Sequence, residues 1–428
     1  MKPRLLSLLL GILAVLTVLG SCTSKPGEIS TEETHGSTEP QSFASSDLPD
    51  TPELTPGDDG TEDEMQKLGE PDRTYTCGDA SRLSSYNGKS AENYHALYRY
   101  FLGIGYEVYC SSERNGSLFC TLTNGSRLIS MYWLKERNEL NMVTSGTAAT
   151  NLPPVTPSVT TGNYETSVVQ LQQTAHVNGM GYIIQLADGS FIIYDGGYNN
   201  MTTPLYEKMV ELNGSPENIV IRAWLLTHSH ADHYPAFSKF ASIYADQVTL
   251  EYLLIAPVAR EDAEDRYLND TVLTDAAKFK DVKICTVHTG MTFRFCNLNM
   301  EILFSPEELY IDGKSDNFNN SSIVSRVYSE NYSMLFLGDA ASAVASFLTE
   351  TYGTYLKSDM CQVSHHGVED VPLSFYVKVE ANILWYPCTQ PLYDRTDRNG
   401  NVRRALERAA FTEEILIAGN DCYQRKWR

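Results

Sequence analysis

The fold is decided by residues 223–233, which read Ala-Trp-Leu-Leu-Thr-His-Ser-His-Ala-Asp-His. A short apolar run ends in a loop with four side chains able to bind a metal ion, namely His228, His230, Asp232 and His233. Imidazole and carboxylate groups suit zinc, manganese or iron. A polar surface loop would explain neither three of the chain's nine histidines in one place nor the apolar run before them. The stretch therefore predicts a buried strand whose end carries a site for two adjacent cations.

Two further apolar runs also end in residues of ligand type. Residues 334–339 read Met-Leu-Phe-Leu-Gly-Asp, so Asp339 follows a strand-like run, and a carboxylate there can bridge two metals. Residues 361–367 read Cys-Gln-Val-Ser-His-His-Gly, which places His365 after a third run. Ligands lie beyond the carboxyl ends of strands in open α/β sheets. Apolar runs that alternate with helical patterns across 165–428 predict a layered α/β domain of this kind.

The order of these motifs, THxHxDH followed by GD and then HHG, resembles the metallo-β-lactamase superfamily. The resemblance is closest to the hydrolase domain of ComEC-type competence proteins, and Asn319-Asn320-Ser321-Ser322 and Asp195-Gly196-Gly197 also fit that branch. It covers residues 165–428 and no more. It implies an αββα sandwich of the metallo-β-lactamase type, with a dinuclear metal site between the two sheets.

The resemblance also implies how the motif residues share the metals. A metal-bound hydroxide would be the nucleophile, because bound water loses its proton near neutral pH. The implied ligands are His228 and His230 for the first metal, Asp232, His233 and His365 for the second, and Asp339 as the bridge.

Three residues would act around the metals. Asp232 would orient the hydroxide and is therefore a catalytic candidate as well as a ligand. His366 is the second catalytic candidate, since it would protonate the leaving group or contact the substrate; packing within its loop is the alternative. Asp195 would fix the orientation of a ligand without binding metal itself.

The main departure from the family pattern concerns the first metal. Many members place another histidine between the first loop and the bridging aspartate, and the only one here is His288. It lies beside Thr289-Gly290, so we expect a solvent-facing turn residue rather than a ligand. The first site would then be incomplete, or completed by water, substrate or an asparagine. The expected cofactors are two divalent ions, zinc ahead of manganese or iron.

The first 21 residues have the layout of an export signal. Lys2 and Arg4 precede an apolar run over residues 5–19, shorter than the ~20 residues that a spanning helix needs. Gly20-Ser21-Cys22 then resembles the lipobox of bacterial lipoproteins. We therefore expect a signal peptide over 1–21, lipidation of Cys22, and an extracytoplasmic position anchored to the cell membrane. An ordinary secretory signal with an incidental cysteine is the alternative.

The remaining chain divides into four segments. Residues 22–74 are rich in Ser, Thr, Pro, Glu and Asp and poor in large apolar residues, which predicts a disordered tether. Residues 75–146 predict a small α+β domain with one helix packed on an antiparallel meander. The Thr- and Pro-rich residues 147–164 predict a linker, and 165–428 form the hydrolase-like domain.

Eight cysteines remain besides Cys22. Cys110 and Cys120 flank one turn signal, and Cys285 and Cys296 flank another, so each pair could face across a hairpin. Disulfides are possible outside the cytoplasm. Buried free thiols are equally compatible with the sequence.

The formal net charge of −21 restricts the partners. Residues 24–73 contain 14 acidic and three basic residues, so about half of the charge lies in the predicted tether. The acidity of the remaining chain disfavours a long nucleic acid, whose phosphates it would repel. A small or polymeric anionic substrate held by the metals, such as a cell-wall phosphodiester, stays compatible.

The leading hypothesis is a surface-tethered, metal-dependent hydrolase that cleaves a phosphoester or phosphodiester. The metal motifs support hydrolysis, and only the branch resemblance supports the preference for phosphate. The alternative is a non-catalytic or weakly catalytic binding lipoprotein with a residual metal site.

Overall fold

The computed structural model describes residues 64–145, 147–156, 160–176, 178–257, 271–307, 318–368, 371–395 and 400–427. The predicted signal peptide, Cys22 and the tether up to residue 63 lie outside these ranges. No helix within the described ranges is long and apolar enough to cross a membrane.

A six-stranded antiparallel sheet with one long helix comes first along the chain. Its strand order in space is β1-β2-β6-β5-β4-β3, where the elements are α1 Glu64–Leu68, β1 Arg73–Thr76, β2 Arg82–Tyr86, α2 Ala91–Gly103, β3 Glu107–Arg114, β4 Ser117–Thr123, β5 Leu128–Leu134 and β6 Glu139–Ser145. Tyr94, Leu97 and Phe101 recur at helical spacing on α2 and are buried against the sheet. The predicted small α+β unit before the sandwich is confirmed.

Part of the predicted tether forms regular secondary structure. Residues 64–74 belong to the predicted tether, yet α1 and the start of β1 lie there. Leu68 is buried, and Met65 packs beside it in the core under α2. Two apolar residues three positions apart give α1 an anchoring face that the surrounding acidic composition obscures.

Two seven-stranded sheets follow. The first has the order β12-β11-β10-β9-β8-β7-β20 and the second the order β13-β14-β15-β16-β17-β18-β19. Strands β9 to β12 are parallel to one another, and so are β16 to β19. The first sheet comprises β7 Ser167–Gln170, β8 Gly181–Gln185, β9 Phe191–Asp195, β10 Ile219–Leu225, β11 Val248–Ile255, β12 Lys283–Thr286 and β20 Tyr423–Lys426; the second comprises β13 Thr292–Phe295, β14 Leu298–Phe304, β15 Val324–Tyr328, β16 Ser333–Phe336, β17 Met360–Gln362, β18 Ile383–Tyr386 and β19 Glu414–Ile417.

Helices cover the outer face of each sheet. Those on the first sheet are α3 Thr202–Asn213, α4 Pro235–Tyr244 and α5 Leu273–Ala276, and those on the second are α6 Ser342–Tyr352, α7 Leu373–Val379, α8 Gln390–Tyr393 and α9 Gly400–Leu406. Between the sheets, the ring of Tyr194 stacks on that of Phe336 with centroids 3.8 Å apart. The αββα sandwich predicted from the sequence is therefore confirmed.

Alternation along the strands explains why they look uniformly apolar in the sequence. Tyr182 and Tyr194 point into the core between the sheets, whereas Ile183 and Ile193 point into the core under α3 and α4. Successive side chains of a strand face opposite sides of the sheet. Because both sides are covered, the central positions of β8 and β9 are apolar on both faces.

The six-stranded sheet packs against the second sheet of the sandwich and its helix α6. The ring of Phe119 on β4 stacks on Tyr352 of α6, with centroids 5.7 Å apart. The guanidinium of Arg114 lies 2.9 Å from the buried carboxylate of Glu301 on β14. A Cβ added to Gly290, where φ is +90°, would lie 2.7 Å from Phe119 Cβ. A glycine before β13 is therefore required for this close packing.

We expect Gly290→Ala to destabilise the protein by about 2–4 kcal/mol, combining left-handed backbone strain with overpacking against Phe119. Gly125→Ala is the matched control, because Gly125 has φ +88° but nothing within 4 Å of an added Cβ. That control should cost only the strain, about 1 kcal/mol. Urea unfolding of both variants gives the comparison, and equal losses would mean that the two surfaces do not pack as described.

The cysteines do not form the proposed hairpin pairs. All eight within the described residues are free thiols. Cys285 lies on β12 of the first sheet, whereas Cys296 lies between β13 and β14 of the second. On the β3–β4 ladder Cys110 is opposite Thr121 rather than Cys120. The idea of two cross-hairpin pairs was wrong for two reasons. One turn signal joins strands of different sheets, and the tight turn after Arg114 pairs Arg114 with Ser117, a register that places Cys110 opposite Thr121.

Candidate metal centre

Five strand ends converge at one edge of the sandwich. Strands β9 and β10 of the first sheet end at Asp195 and at the loop 226–234, and β16, β17 and β18 of the second lead to Asp339, to the loop 364–367 and to Pro387. Parallel neighbours have their carboxyl ends at the same edge, so these chemically active residues meet there although the sequence separates them widely.

The first group of ligand-type atoms consists of His228, His230 and Asp339, whose nitrogen and oxygen atoms lie within 4.8 Å of one another. Nε2 of His228 is 3.0 Å from Nδ1 of His230 and 3.8 Å from Oδ2 of Asp339. His228 and Asp339 are buried, whereas His230 is half-buried at the mouth. This is the pair of histidines predicted for the first metal, together with the predicted bridge.

The second group consists of Asp232, His233, Asp339 and His366, again within 4.8 Å. Nε2 of His233 lies 3.1 Å from Asp339 Oδ2. Nε2 of His366 lies 3.0 Å from Asp232 Oδ2 and 3.4 Å from Asp339 Oδ2. Asp339 therefore belongs to both groups, which is the geometry that a bridging carboxylate needs.

The ring nitrogens on the far side of these imidazoles are held by hydrogen bonds. Nδ1 of His233 donates to Asp195 Oδ2 over 2.7 Å, and Asp195 in turn accepts from the backbone N–H and hydroxyl of Thr227. Nδ1 of His366 donates to the carbonyl of Pro387 over 2.8 Å. These partners leave Nε2 of both rings facing the cluster, an arrangement typical of metal-binding histidines.

His228 is oriented in a similar way by two hydroxyl groups. Its Nδ1 lies 3.1 Å from Oγ1 of Thr227 and 3.2 Å from Oγ of Ser322. Ser322 also accepts a hydrogen bond from the backbone N–H of Asp339. The Asn-Asn-Ser-Ser stretch therefore links the first histidine to the carboxylate shared by both groups.

The atoms that face one another at the centre lie close together but do not form hydrogen bonds with one another. Nε2 of His233, Nε2 of His366 and both carboxylate oxygens of Asp339 are buried without such a bond. Buried polar atoms are almost always paired, so such a set needs an explanation. The two groups together offer four imidazoles and two carboxylates, ligand types that zinc, manganese and iron accept, and these residues fit a pair of divalent cations.

The electrostatics of the cluster also favour cations. Burial by itself would raise the pKa of the Asp339 carboxyl, but His233 and His366 hold it well below its usual range. Burial would lower the pKa of His366, but Asp339 and Asp232 raise it to about 10. For His228, burial and the neighbouring His233 lower the pKa well below its usual value. Protons bound to the second group thus supply the positive charge that metal ions would otherwise supply. Metal binding would release these protons.

The two adjacent histidines exchange the places that the sequence suggested. The sequence analysis put His365 in the second metal site and His366 in proton transfer, but His366 is the one in the second group. Nε2 of His365 lies 3.7 Å from Asp339 Oδ2, and its side chain is 16% exposed. Both residues have left-handed backbones, with φ of +46° and +55°, and this turn points the second ring inward.

The prediction for His288 is wrong. Its side chain is 1% exposed rather than solvent-facing, and Nδ1 lies 3.7 Å from the buried carboxylate of Glu307. Its turn packs beneath Phe119 of the six-stranded sheet, a long-range contact that the local sequence does not show. His288 belongs to neither ligand group among the described residues.

Two residues beside the second group were missed by the sequence analysis. The amide of Asn178 donates a short hydrogen bond to Asp232 Oδ2, and the hydroxyl of Tyr198 donates to Asn178 Oδ1 over 3.4 Å. Burial raises the pKa of Tyr198, and the charges of Asp232 and Asp339 raise it further. Only their positions in the sequence could have indicated that these residues lie near the site. Tyr198 follows Asp195-Gly-Gly, and Asn178 precedes β8, the strand that pairs with β9.

No family model and no curated protein matches this sequence. Among solved structures, the metallo-β-lactamase fold protein YhfI from Bacillus subtilis is 11% identical, with 61% of this chain and 100% of that chain covered and a TM-score of 0.40. Igni18, a metallo hydrolase from Ignicoccus hospitalis, is 11% identical, with coverages of 61% and 100% and a TM-score of 0.36. CmlA, a diiron β-hydroxylase from Streptomyces venezuelae, is 12% identical, with coverages of 62% and 54% and a TM-score of 0.37. All three TM-scores lie below 0.5, so these likenesses decide neither the family nor the activity of this chain.

Proposed function

We propose that this protein is a metal-dependent hydrolase whose site consists of the two ligand groups that share Asp339. The observation that carries the proposal is the set of buried nitrogen and oxygen atoms that face one another without hydrogen bonds. Leaving such atoms unpaired costs free energy, so the arrangement is best explained by cations that bind them.

The proposed ligands divide into two sets. His228 and His230 hold one cation, and Asp232, His233 and His366 hold the other, with Asp339 common to both. Bound divalent cations would supply Lewis acidity, which makes water nucleophilic near neutral pH and stabilises negative charge on the reacting group.

The protein's own residues keep this constellation in place. Asp195 and Thr227 hold the ring of His233, and Ser322 holds that of His228. His365, at the partly exposed side of the cluster, is placed to contact the substrate. Asp232 remains the candidate for orienting the attacking water.

We further propose a phosphoester or phosphodiester as the substrate. The support is the resemblance of the motifs to the ComEC-type branch, together with a centre that would hold an anionic group by metal charge rather than by Lys or Arg. The overall acidity still disfavours long nucleic acids. A cell-wall phosphodiester is compatible with the proposed lipid anchor at Cys22, which would tether the enzyme to the outer face of the cell membrane.

Metal removal tests the proposal. The full chain should contain two divalent ions, and stripping them with a chelator should lower hydrolysis of bis(p-nitrophenyl) phosphate at least about a hundredfold. Readdition of zinc, manganese or iron should restore it. A panel of phosphomonoesters, nucleic acids and β-lactams run in parallel identifies the preferred ester.

The outcomes separate enzyme from binding protein. Two bound ions without turnover of any panel member would favour a binding lipoprotein with a residual metal site. Turnover that survives complete metal removal, or a chain that binds no ion, would exclude the proposed site.

A further inference from the structure

The segment 178–180 contacts the loop that carries Asp232, a ligand of the second group, and a second loop that orients His366. The side-chain amide of Asn178 donates to Asp232 Oδ2, and the backbone N–H of Met180 donates to the carbonyl of Asp232 over 3.0 Å. The side chain and the backbone carbonyl of Asp232 are therefore both held by this short segment.

The same segment also reaches the loop that orients His366. The backbone N–H of Gly179 donates to the carbonyl of Pro387 over 3.3 Å, and this is the carbonyl that accepts from His366 Nδ1. Asn178 forms an isolated β-bridge with Cys388 next to it. Gly179 has φ +146°, a backbone conformation that residues with a side chain rarely adopt, so a glycine suits this position of the segment.

The orientation of the Asn178 amide is set from both sides. A carboxylate can only accept hydrogen bonds, so Asp232 requires the NH2 end, and the hydroxyl of Tyr198 can then donate to the oxygen end. The ring of Tyr198 is itself stacked on His176, with centroids 3.9 Å apart.

The supports of the two ligand groups differ at Asp232. Hydroxyl groups of Thr227 and Ser322 orient His228 in the first group, and Oγ1 of Thr227 also lies 3.3 Å from Nδ1 of His233 in the second. Asp232 has a support of its own, because the side chain of Asn178 hydrogen-bonds to Asp232 and to Tyr198.

We propose that Asn178 is a positioning residue for the second cation alone. Its neutral amide holds one oxygen of Asp232 without cancelling the carboxylate charge, which leaves Oδ1 on the side of His233 Nε2, 3.9 Å away. Tyr198 keeps the amide in that orientation. This inference rests on the proposed function only in requiring that cations bind at the two groups.

The test measures metal binding before activity. Asn178→Asp keeps the shape but places an acceptor against Asp232, so the affinity for one of two zinc ions should fall about 10- to 100-fold while the other stays unchanged. Tyr198→Phe should weaken the same ion by less than about tenfold. Ser322→Ala removes the hydroxyl beside His228 and should weaken the ion of the first group more than that of the second, although Ser322 also binds the backbone of the shared Asp339. Asn401→Ala, an exposed asparagine on α9, is the matched control and should bind both ions as wild type does.

Zinc titration against a chromophoric chelator gives both affinities, and the absorption of the cobalt-substituted protein reports which group has changed. Should Asn178→Asp fail to fold, Asn178→Ala replaces it with the same expectation. Wild-type affinity for both ions in a folded Asn178 variant, or equal loss of both, overturns this inference alone. A wild-type chain without bound ions overturns it together with the proposed function.

Discussion

Asp339→Asn should remove both cations and lower turnover by about a thousandfold or more. Asp339 is the one residue common to the two ligand groups, and both of its oxygens are buried without a hydrogen bond. An amide of the same shape offers a single neutral oxygen in place of the anionic carboxylate. The second oxygen becomes an NH2 group facing imidazole nitrogens, which repels a cation instead of binding it.

Metal content by mass spectrometry and initial rates on one phosphodiester provide the measurement. Asp246→Asn is the control, since Asp246 is exposed after α4 and should retain two ions and full turnover. Circular dichroism of the variant, compared with chelator-treated wild type, separates metal loss from unfolding. Two ions retained by folded Asp339→Asn would show that the carboxylate does not bridge.

Much of the ligand set could be predicted because strand ends are local features. An apolar run followed by His, Asp or Gly marks the carboxyl end of a buried strand, and the parallel sheets then bring the loops after β10, β16 and β17 to one edge. The family resemblance implied that Asp195, at the end of β9, fixes the orientation of a ligand, and its carboxylate accepts a hydrogen bond from His233 Nδ1.

Contacts between distant segments could not be predicted in this way. The sequence around His288 is typical of an exposed turn, but in the structure β4 of the six-stranded sheet packs over this turn and His288 is buried. Asn178 has no motif of its own, and its contact with Asp232 exists only because β8 and β9 pair and carry the preceding segment to the site. Leu68 of the helix 64–68 is buried in the core under α2, a tertiary contact that the acidic composition of the surrounding residues conceals.

Whether His365 or His366 faces the metal site depends on the backbone conformation of the loop, which two adjacent histidines in a sequence do not reveal. In a strand or a helix, neighbouring side chains point in different directions, so one histidine of a pair is expected to face the metal. Here the strand has ended, and three successive left-handed residues, His365, His366 and Gly367, turn the chain. The turn buries the second ring and leaves the first at the partly exposed side of the cluster.

His366→Ala should therefore release the second cation and lower turnover by about 100- to 1,000-fold, whereas His365→Ala should retain both cations. His366 lies within 3.4 Å of both carboxylates of its group, and its Nδ1 is fixed by Pro387. His365 is 3.7 Å from Asp339 and partly exposed, so its loss should act on substrate contact, raising KM by about tenfold or less with metal content unchanged.

Metal content, KM and kcat of the two variants decide between the histidines, and His95→Ala on the exposed side of α2 controls for loss of any histidine. Cation loss in His365→Ala with both ions retained in His366→Ala would restore the ligand set suggested by the motif alone. It would also mean that the turn 365–367 changes its conformation when cations bind. The expected result is cation loss in His366→Ala, and the opposite result is cation loss in His365→Ala. Because metal content distinguishes the two, the comparison does not depend on which ester the enzyme prefers.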